Sequence, residues 1–345
     1  MNRAHLIALI LAIVLVILFM VRCSVRSAIK NNTSSESGTK STQGSSSETR
    51  DPGLTFAPWT QPPDTEPPVD DPYTAALSSV VSSLKSDTVF VYDLDRGTFA
   101  LQRGTSRVIY PADITMLWTG IYALTVMPAD TIISPTKSDI ALIKKGTGTA
   151  YVRSGHSLTL SMLVEGMLVD GGSDCAYAIA TGVGRYIAQN DSLSSEEALA
   201  KFMLGLNGYL ADVNCPGTKF DNPDGYSGKT HYTTVHDLVE ISKLVVKNEY
   251  MSRYMGLPKV KVTYASKHSK TWISDNALLD PESEYYNAGA NGIKTGSYDG
   301  SYSLLSSVRV DGMTKFIIGV FGSSDKNVRF EDTSKIIAAI EKVSG

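Results

Sequence analysis

The spacing of apolar residues differs between the ends of the chain and its middle. In residues 89–104, VFVYDLDRGTFALQRG, apolar and polar positions alternate on both sides of Asp95, Arg96 and Gly97, which predicts a β-hairpin. The middle of the chain spaces its apolar residues as helices do, and strand patterns return before a closing helix at 334–343. Strands at both ends of a helical middle predict an α+β fold whose sheet is completed by distant parts of the chain.

The same patterns predict the individual elements. Helices are expected in SLTLSMLVEGML, AYAIATGVGRYI, SSEEALAKFMLGLNGYL and TVHDLVEISKLVVKN, the third with a capped start at Ser194 or Ser195. Late strands are expected in KVKVTYA, SYSLLSSVRV and TKFIIGVFG, and Asp311 with Gly312 predicts a tight turn between the last two. We therefore expect a central antiparallel sheet made of the early hairpin and these three strands, with a helical cluster against it.

The first 72 residues have a different composition. Sixteen consecutive apolar residues begin at Leu6, slightly fewer than the roughly 20 that span a bilayer, and they favour an uncleaved membrane anchor in residues 1–23 over a cleaved signal peptide. Residues 24–72 are rich in Ser, Thr and Pro and predict a disordered tether before a folded domain at 73–345. The excess of basic residues after the apolar span favours a domain in the cytoplasm, whereas the tether is compatible with either side of the membrane. These patterns therefore leave the orientation of the chain open.

Charge and cysteines exclude some classes of partner. With 32 basic and 35 acidic residues the net charge is −3, and no basic run contains interleaved aromatic residues, so a nucleic-acid partner is not expected. Of the three cysteines, Cys23 follows the apolar span, and Cys175 and Cys215 fit no metal-ligand spacing. We therefore expect no metal and no cofactor, and buried thiols at 175 and 215.

Seven short segments between residues 75 and 342 occur in a characteristic order. They are VYDLDRGTFAL, YPA, LVEGMLVDGGSDCAYAIA, FDNPDGYSGKTHYTTVHDL, NALL, NGIKTG and RVDGMTKFIIGVFG. Together they resemble the serine D-Ala-D-Ala carboxypeptidases of bacterial cell-wall synthesis, which belong to the penicillin-binding protein and serine β-lactamase superfamily. The resemblance implies a β-lactamase/transpeptidase-like fold, an antiparallel sheet with a helical cluster, and a substrate outside the cytoplasmic membrane.

Most of that family's catalytic side chains are replaced here. The family attacks a peptide carbonyl with a serine at the start of a helix, and a lysine three residues later takes up the proton. The matching positions hold Asp113 and Met116, and a thioether cannot act as a general base at neutral pH. The family's Ser-x-Asn group matches Gly171, Gly172 and Ser173, so its relay hydroxyl is also missing.

One group of family residues remains. The resemblance implies that Lys294, Thr295 and Gly296 hold the terminal carboxylate of a ligand.

The bare Ser-x-x-Lys pattern occurs elsewhere, as at Ser134 and Lys137, but without the YPA segment and a following apolar helix.

Structural roles also explain several of these residues. Asp113 can cap the helix that follows it, and Met116 can fill the core. Lys294 can form an ion pair with Asp113. His231 and Asp237 are interpreted as loop and helix-cap elements of the fold rather than as catalytic residues.

Three functions follow from these observations. The first is a single-pass, membrane-anchored pseudoenzyme outside the cytoplasm, which binds a peptidoglycan stem peptide or a cell-envelope protein without cutting it. The second is an active D-Ala-D-Ala carboxypeptidase in peptidoglycan remodelling. The third is a hydrolase that uses Asp113 and Asp174 as acid and base or as metal ligands, an idea that no nearby His or Cys supports. We favour the first, because most of the family's polar chemical positions are replaced.

Overall fold

The computed structural model describes residues 71–226, 228 and 230–344. The predicted membrane anchor and nearly all of the predicted tether lie outside these residues. The strands are β1 (Thr88–Asp93), β2 (Thr98–Arg103), β3 (Ile132–Ile133), β4 (Leu158–Thr159), β5 (Lys259–Thr263), β6 (Ser269–Ile273), β7 (Ala290–Tyr298), β8 (Ser301–Val310) and β9 (Met313–Ser323). The α-helices are α1 (Pro72–Val80), α2 (Met116–Val126), α3 (Lys137–Ala141), α4 (Leu160–Val169), α5 (Ser173–Ala188), α6 (Ser195–Asp212), α7 (Val235–Lys247), α8 (Glu249–Tyr254) and α9 (Val328–Ser344), and 3₁₀ turns span Val81–Ser83 and Ala112–Thr115.

A five-stranded antiparallel sheet joins the two ends of the described chain. Its order is β2-β1-β9-β8-β7, so the early hairpin pairs directly with the last strand. The turn between β8 and β9 has Asp311 and Gly312 at φ values of 53° and 78°, the left-handed geometry of a two-residue hairpin turn. The predicted α+β class and this turn are confirmed.

The sheet is covered on both faces, because alternate residues of a strand point to opposite sides. Val89 and Val91 of β1 pack in the core shared with α1 and α9. Phe90 and Tyr92 point the other way, into the larger core formed with the helical cluster. Every residue of β1 is therefore buried, which agrees with the unbroken apolar run from Val89 to Tyr92 and not with the alternation of a strand that has one exposed face.

One strand was assigned to the wrong sheet. β5 pairs with β6 in a separate two-stranded sheet, because a short turn with Lys267 in the left-handed region folds the chain straight back on itself. The remaining strand of the central sheet is β7, at its edge. Its sequence ANGIKTGSY contains two glycines and no regular alternation, so it has a weak strand signal.

Helix α1 begins at Pro72, with the Asp71 side chain capping its first turn. Within the described ranges, no helix combines the length and apolar character that a membrane crossing needs.

Candidate active-site cleft

Asp113 lies in the 3₁₀ turn that leads into α2, and its side chain points towards the edge strand β7. Its Oδ2 accepts a hydrogen bond of 3.2 Å from the main-chain N–H of Ser297. Neither the 3₁₀ turn nor α2 has a side-chain cap. The helix-capping role predicted for Asp113 is therefore wrong, because the residue sits inside the helical turn and its carboxylate is directed across the cleft instead.

Glycines allow the two sides of the cleft to approach closely. A Cβ atom at Gly225, whose φ is 87°, would lie 1.7 Å from the carbonyl oxygen of Ala112. On the other side, a Cβ atom at Gly296 would lie 3.1 Å from the carbonyl oxygen of Pro111. The segment before Asp113 is thus held between the loop containing Gly225 and strand β7.

Met116 is the first residue of α2 and has no exposed surface. It belongs to the larger hydrophobic core and not to the lining of the cleft. Its predicted role as core filler is confirmed, and its position provides no proton acceptor for the cleft.

The start of α5 forms the opposite wall. Gly171 has a φ of 65° and lines the cleft, whereas Ser173 is buried at the first position of the helix. Asp174 is buried beneath the cleft, where its carboxylate accepts hydrogen bonds from the main-chain N–H groups of Ala150 at 2.9 Å and Val152 at 2.7 Å. Asp174 therefore fastens a loop to the helix, and the acid-base pair hypothesised for Asp113 and Asp174 is wrong.

Lys294 stands on β7 with only 4% of its surface exposed, and it lines the cleft. A Cβ atom at Gly171 would lie 3.7 Å from its Nζ, so the ammonium faces the start of α5. Among the described residues, no carboxylate oxygen comes within 4.0 Å of this nitrogen. The predicted ion pair with Asp113 is therefore not formed, although both groups line the same cleft.

The hydroxyl of Thr295, the next residue of the strand, donates a short hydrogen bond to Asp275. Asp275 also forms an ion pair of 3.3 Å with Arg329, which donates to the carbonyl oxygens of Gly296 and Ser303. Asp275 and Arg329 are not among the site residues that the sequence motifs predicted. For Asp275, the sequence feature that could have indicated a role is its position directly before the NALL segment. Arg329 lies in a helix whose sequence has no such feature.

The pKa values of two carboxyl groups in the cleft, those of Asp113 and Asp275, are shifted in opposite directions. Burial raises the pKa of Asp113 to about 6, although the nearby Lys294 ammonium acts in the opposite direction and the Asp275 carboxylate in the same one. Burial also acts to raise the pKa of Asp275, but Lys294 and Arg329 outweigh it and hold that pKa below its ordinary value. At neutral pH both side chains are predominantly ionised.

The cleft has a volume of about 650 Å³. Among the described residues, its lining combines aspartates, one lysine, hydroxyl side chains, tyrosines and glycines. They are Asp113, Gly146, Thr147, Gly148, Asp170, Gly171, Gly225, Tyr226, Asp275, Lys294, Thr295, Ser297, Tyr298, Asp299, Gly300 and Tyr302. The cleft is therefore polar, and its carboxylates outnumber its single ammonium group.

Comparison with known proteins identifies the family to which this fold and cleft belong. A family model described as D-alanyl-D-alanine carboxypeptidase matches residues 74–325, which is most of the chain. The chain belongs to the D-alanyl-D-alanine carboxypeptidase family.

This carboxypeptidase-family chain is similar to curated D-alanyl-D-alanine carboxypeptidases at low sequence identity. It is 27% identical over 265 residues to a D-alanyl-D-alanine carboxypeptidase of Streptomyces sp. (strain K15), covering 70% of this chain and 85% of that protein. It is 21% identical over 257 residues to the D-alanyl-D-alanine carboxypeptidase DacF of Bacillus subtilis, covering 73% of this chain and 61% of that protein. The match therefore spans about three fifths of the length of the Bacillus relative.

Solved structures match the fold of this family member. The DD-transpeptidase of Streptomyces K15 superposes with a TM-score of 0.65 at 21% identity, covering 74% of this chain and 97% of that one. A D-alanyl-D-alanine carboxypeptidase from Mycobacterium tuberculosis superposes with a TM-score of 0.62 at 18% identity, covering 75% of this chain and 92% of that one. These matches confirm the β-lactamase/transpeptidase-like fold.

Two other polar candidates of this carboxypeptidase-family chain have structural roles. His231 is buried, bonds to the Thr115 hydroxyl at 2.8 Å, and accepts from the main-chain N–H of Asp221. Burial lowers the pKa of His231 to about 4, so the ring is neutral at physiological pH. Asp237 is buried in the first turn of α7 and accepts a hydrogen bond of 2.6 Å from Thr218. Both residues support the fold, as predicted, but the side chain that caps α7 is that of Thr234 and not that of Asp237.

Ser134 lies outside the cleft. Its hydroxyl bonds to Ser157 at 2.7 Å, and it lines a separate surface cavity beside α3 and α5. Cys175 and Cys215 are buried free thiols, as expected, and burial raises the pKa of both.

Proposed function

We propose that this family member binds a peptide with a free terminal carboxylate in its cleft and does not cleave that peptide. The observation that supports the proposal most directly is the complete burial of Met116 in the core, at the position of the family's lysine. The described residues that line the cleft include no second lysine, no histidine and no cysteine. The lining therefore lacks the family's pairing of a serine with a lysine base. The Thr295 hydroxyl does donate to the Asp275 carboxylate, but Lys294 and Arg329 hold the pKa of Asp275 below its ordinary value and make it a weak base.

The position of Asp113 supports the same proposal. A carboxylate that attacked a peptide would have to form a high-energy anhydride and still deliver a proton to the departing amine. One oxygen of Asp113 already accepts a hydrogen bond from the Ser297 N–H. Asp113 thus occupies a main-chain donor at the cleft edge that would otherwise be available to a ligand oxygen.

The residues that remain are suited to binding. Lys294 presents an ammonium group to the cleft, and a carboxylate is its natural partner. Thr295 is already bonded to Asp275, so we assign the main attraction for a carboxylate to Lys294. The ligand class that we propose is a peptidoglycan stem peptide, and a protein partner of the cell envelope would have to present the same group.

We place the protein, as part of this proposal, at the outer face of the cytoplasmic membrane as a single-pass protein. The support is the apolar segment that begins at Leu6 and the family's substrate, which lies outside the cytoplasm.

The decisive experiment exposes the purified full-length chain, kept in detergent, to a fluorescent penicillin and to a D-Ala-D-Ala peptide. We expect no covalent adduct by intact mass and no released D-alanine. The matched comparison is Asp113→Ser combined with Met116→Lys, the smallest change that reintroduces the family's serine and lysine at these two positions.

The competing function is an active D-Ala-D-Ala carboxypeptidase, and family membership favours it. A penicillin adduct on the unmodified chain, or D-alanine release that disappears in Asp113→Ala, would establish that function and refute our proposal.

A further inference from the structure

Lys294 is a buried cation whose charge is not neutralised by a direct partner. Only 4% of its surface is exposed, and no described carboxylate oxygen lies within 4.0 Å of its Nζ. Removing a charged group from water is costly unless it is paired. Because the side chain lines the cleft, the group that completes its pairing can come from a ligand.

Asp113 lies in the same cleft and is not in direct contact with that ammonium. Its Oδ2 has a single hydrogen bond from Ser297, and no ion pair joins Asp113 to a described cation. The absence of a direct pair between Asp113 and Lys294 means that more than 4.0 Å separates the two opposite charges. Both side chains line one cleft of about 650 Å³, so a single small ligand with a negative and a positive group can contact both of them.

The charge balance of the cleft opposes a purely anionic ligand. Its described lining has the carboxylates of Asp113, Asp170, Asp275 and Asp299 against the single ammonium of Lys294, and only Asp275 has an ion pair, with Arg329. An anion that approaches Lys294 is repelled by the other carboxylates, whereas an ammonium group on the same ligand is attracted to them.

The mouth of the cleft contains an aromatic pair. Tyr226 and Tyr298 meet edge to face with ring centroids 6.5 Å apart, and they are 37% and 39% exposed. Exposed aromatic faces beside carboxylates favour cations, which interact with both. This pair supports a ligand with a positive group near the entrance.

We infer that the cleft takes a zwitterionic ligand, a short peptide or amino acid that places its carboxylate at Lys294 and its primary ammonium group at Asp113. This inference rests on the proposed function, binding of a terminal carboxylate without cleavage, and within it favours a free dipeptide or amino acid over a longer stem peptide, whose D-Ala-D-Ala nitrogen is acylated. In a covalent enzyme a serine at position 113 would need no charge on the ligand, whereas the aspartate in this chain selects for one.

Three related dipeptides that differ in charge test this inference. D-Ala-D-Ala carries both charges, N-acetyl-D-Ala-D-Ala carries only the carboxylate, and D-Ala-D-alaninamide carries only the ammonium. Calorimetric titration of the full-length chain near neutral pH is expected to show D-Ala-D-Ala binding roughly tenfold more tightly than either analogue, because each loses one charge pair.

Variants assign the two charges to their residues. Asp113→Asn is expected to remove the advantage of D-Ala-D-Ala over the N-acetyl dipeptide, and Lys294→Met the advantage over the amide. Asp130→Asn, an exposed carboxylate outside the cleft, serves as the matched control and is expected to change neither ratio.

Equal binding of D-Ala-D-Ala and its N-acetyl derivative would overturn the inference, as would an unchanged ratio in Asp113→Asn or no binding of D-Ala-D-Ala at millimolar concentration. Intact mass and free D-alanine, measured on the same samples, report on the proposed function separately. A covalent adduct or released D-alanine would refute non-cleavage, whereas the binding ratios alone decide the choice of ligand.

Discussion

Positions 113 and 116, where the resemblance to the family implies a serine and a lysine, hold an aspartate and a methionine in this chain. Asp113 places a carboxylate in the cleft, and Met116 directs an apolar side chain into the core. The carboxylate is poorly solvated, so its ionisation has an energetic cost to the fold. Each position gives a prediction at the scale of a single side chain.

Asp113→Asn should stabilise the protein at neutral pH. The pKa of Asp113 is raised from 3.8 to about 6, so the folded state binds more protons than the unfolded state within that window. The contribution of Asp113 to stability is therefore lost as the pH rises through it. Urea unfolding should show the variant more stable than wild type by on the order of 2 kcal/mol at about pH 7.5, with little gain at about pH 4. An equal gain at both pH values would contradict the prediction, and Asp130→Asn is the control.

Met116→Lys should destabilise the protein, because it buries an ammonium group in an apolar core without an assigned partner. We expect a loss of roughly 3 kcal/mol or more in the free energy of unfolding, against less than about 1.5 kcal/mol for Met116→Leu, which keeps the volume. Equal losses for the two variants would mean that the introduced lysine side chain reaches the cleft.

At the scale of elements, the cleft depends on close packing between a loop, a 3₁₀ turn and an edge strand. Sequence patterns predicted most helices well, and Ser194 caps α6 in a capping box with Glu197, as its sequence indicated. They did not predict β7, because its glycines serve the approach of neighbouring backbone rather than strand formation.

Gly225→Ala should distort the cleft. A Cβ atom there would stand 1.7 Å from the Ala112 carbonyl oxygen, and the glycine has a φ of 87°. Gly300→Ala is the matched control, because it also has a positive φ, 73°, but meets no atom within 4 Å. We expect Gly300→Ala to cost about 1 kcal/mol and Gly225→Ala at least twice as much in thermal or urea unfolding. Similar losses at the two sites would show that the loop can move away from the 3₁₀ turn.

At the scale of the whole molecule, the sheet connects parts of the chain that lie far apart in sequence. Strand β1 pairs with β9, and α1 packs with α9 in the smaller of the two cores. The central sheet therefore cannot be complete until both ends of the described region have been synthesised.

Limited proteolysis of intact cells tests the proposed topology. The Ser-, Thr- and Pro-rich composition of residues 30–70 lacks the apolar residues needed for burial, so we expect an added protease to cut there and to release a fragment of nearly the size of the folded domain. Cleavage only after lysis would place the domain in the cytoplasm, as the basic residues after the apolar segment indicate.

Local patterns were sufficient for the features that depend on neighbouring residues. The period of apolar positions follows directly from helix and strand geometry, and the turn at Asp311 and Gly312 follows from backbone sterics. The absence of a serine at 113 and a lysine at 116 was equally visible, because chemistry at a given position needs a given side chain.

Contacts between distant segments emerged only in the folded chain. Asp113 meets Ser297 across 184 residues of sequence, and Thr295 is bonded to Asp275 rather than left free for a ligand. Two further features also depend on distant segments. Asp113 and Lys294 do not form an ion pair, and β7 joins the central sheet where β5 was expected. These contacts depend on how groups from many segments pack and lose their solvent together. The spacing of residues along one segment therefore cannot predict them.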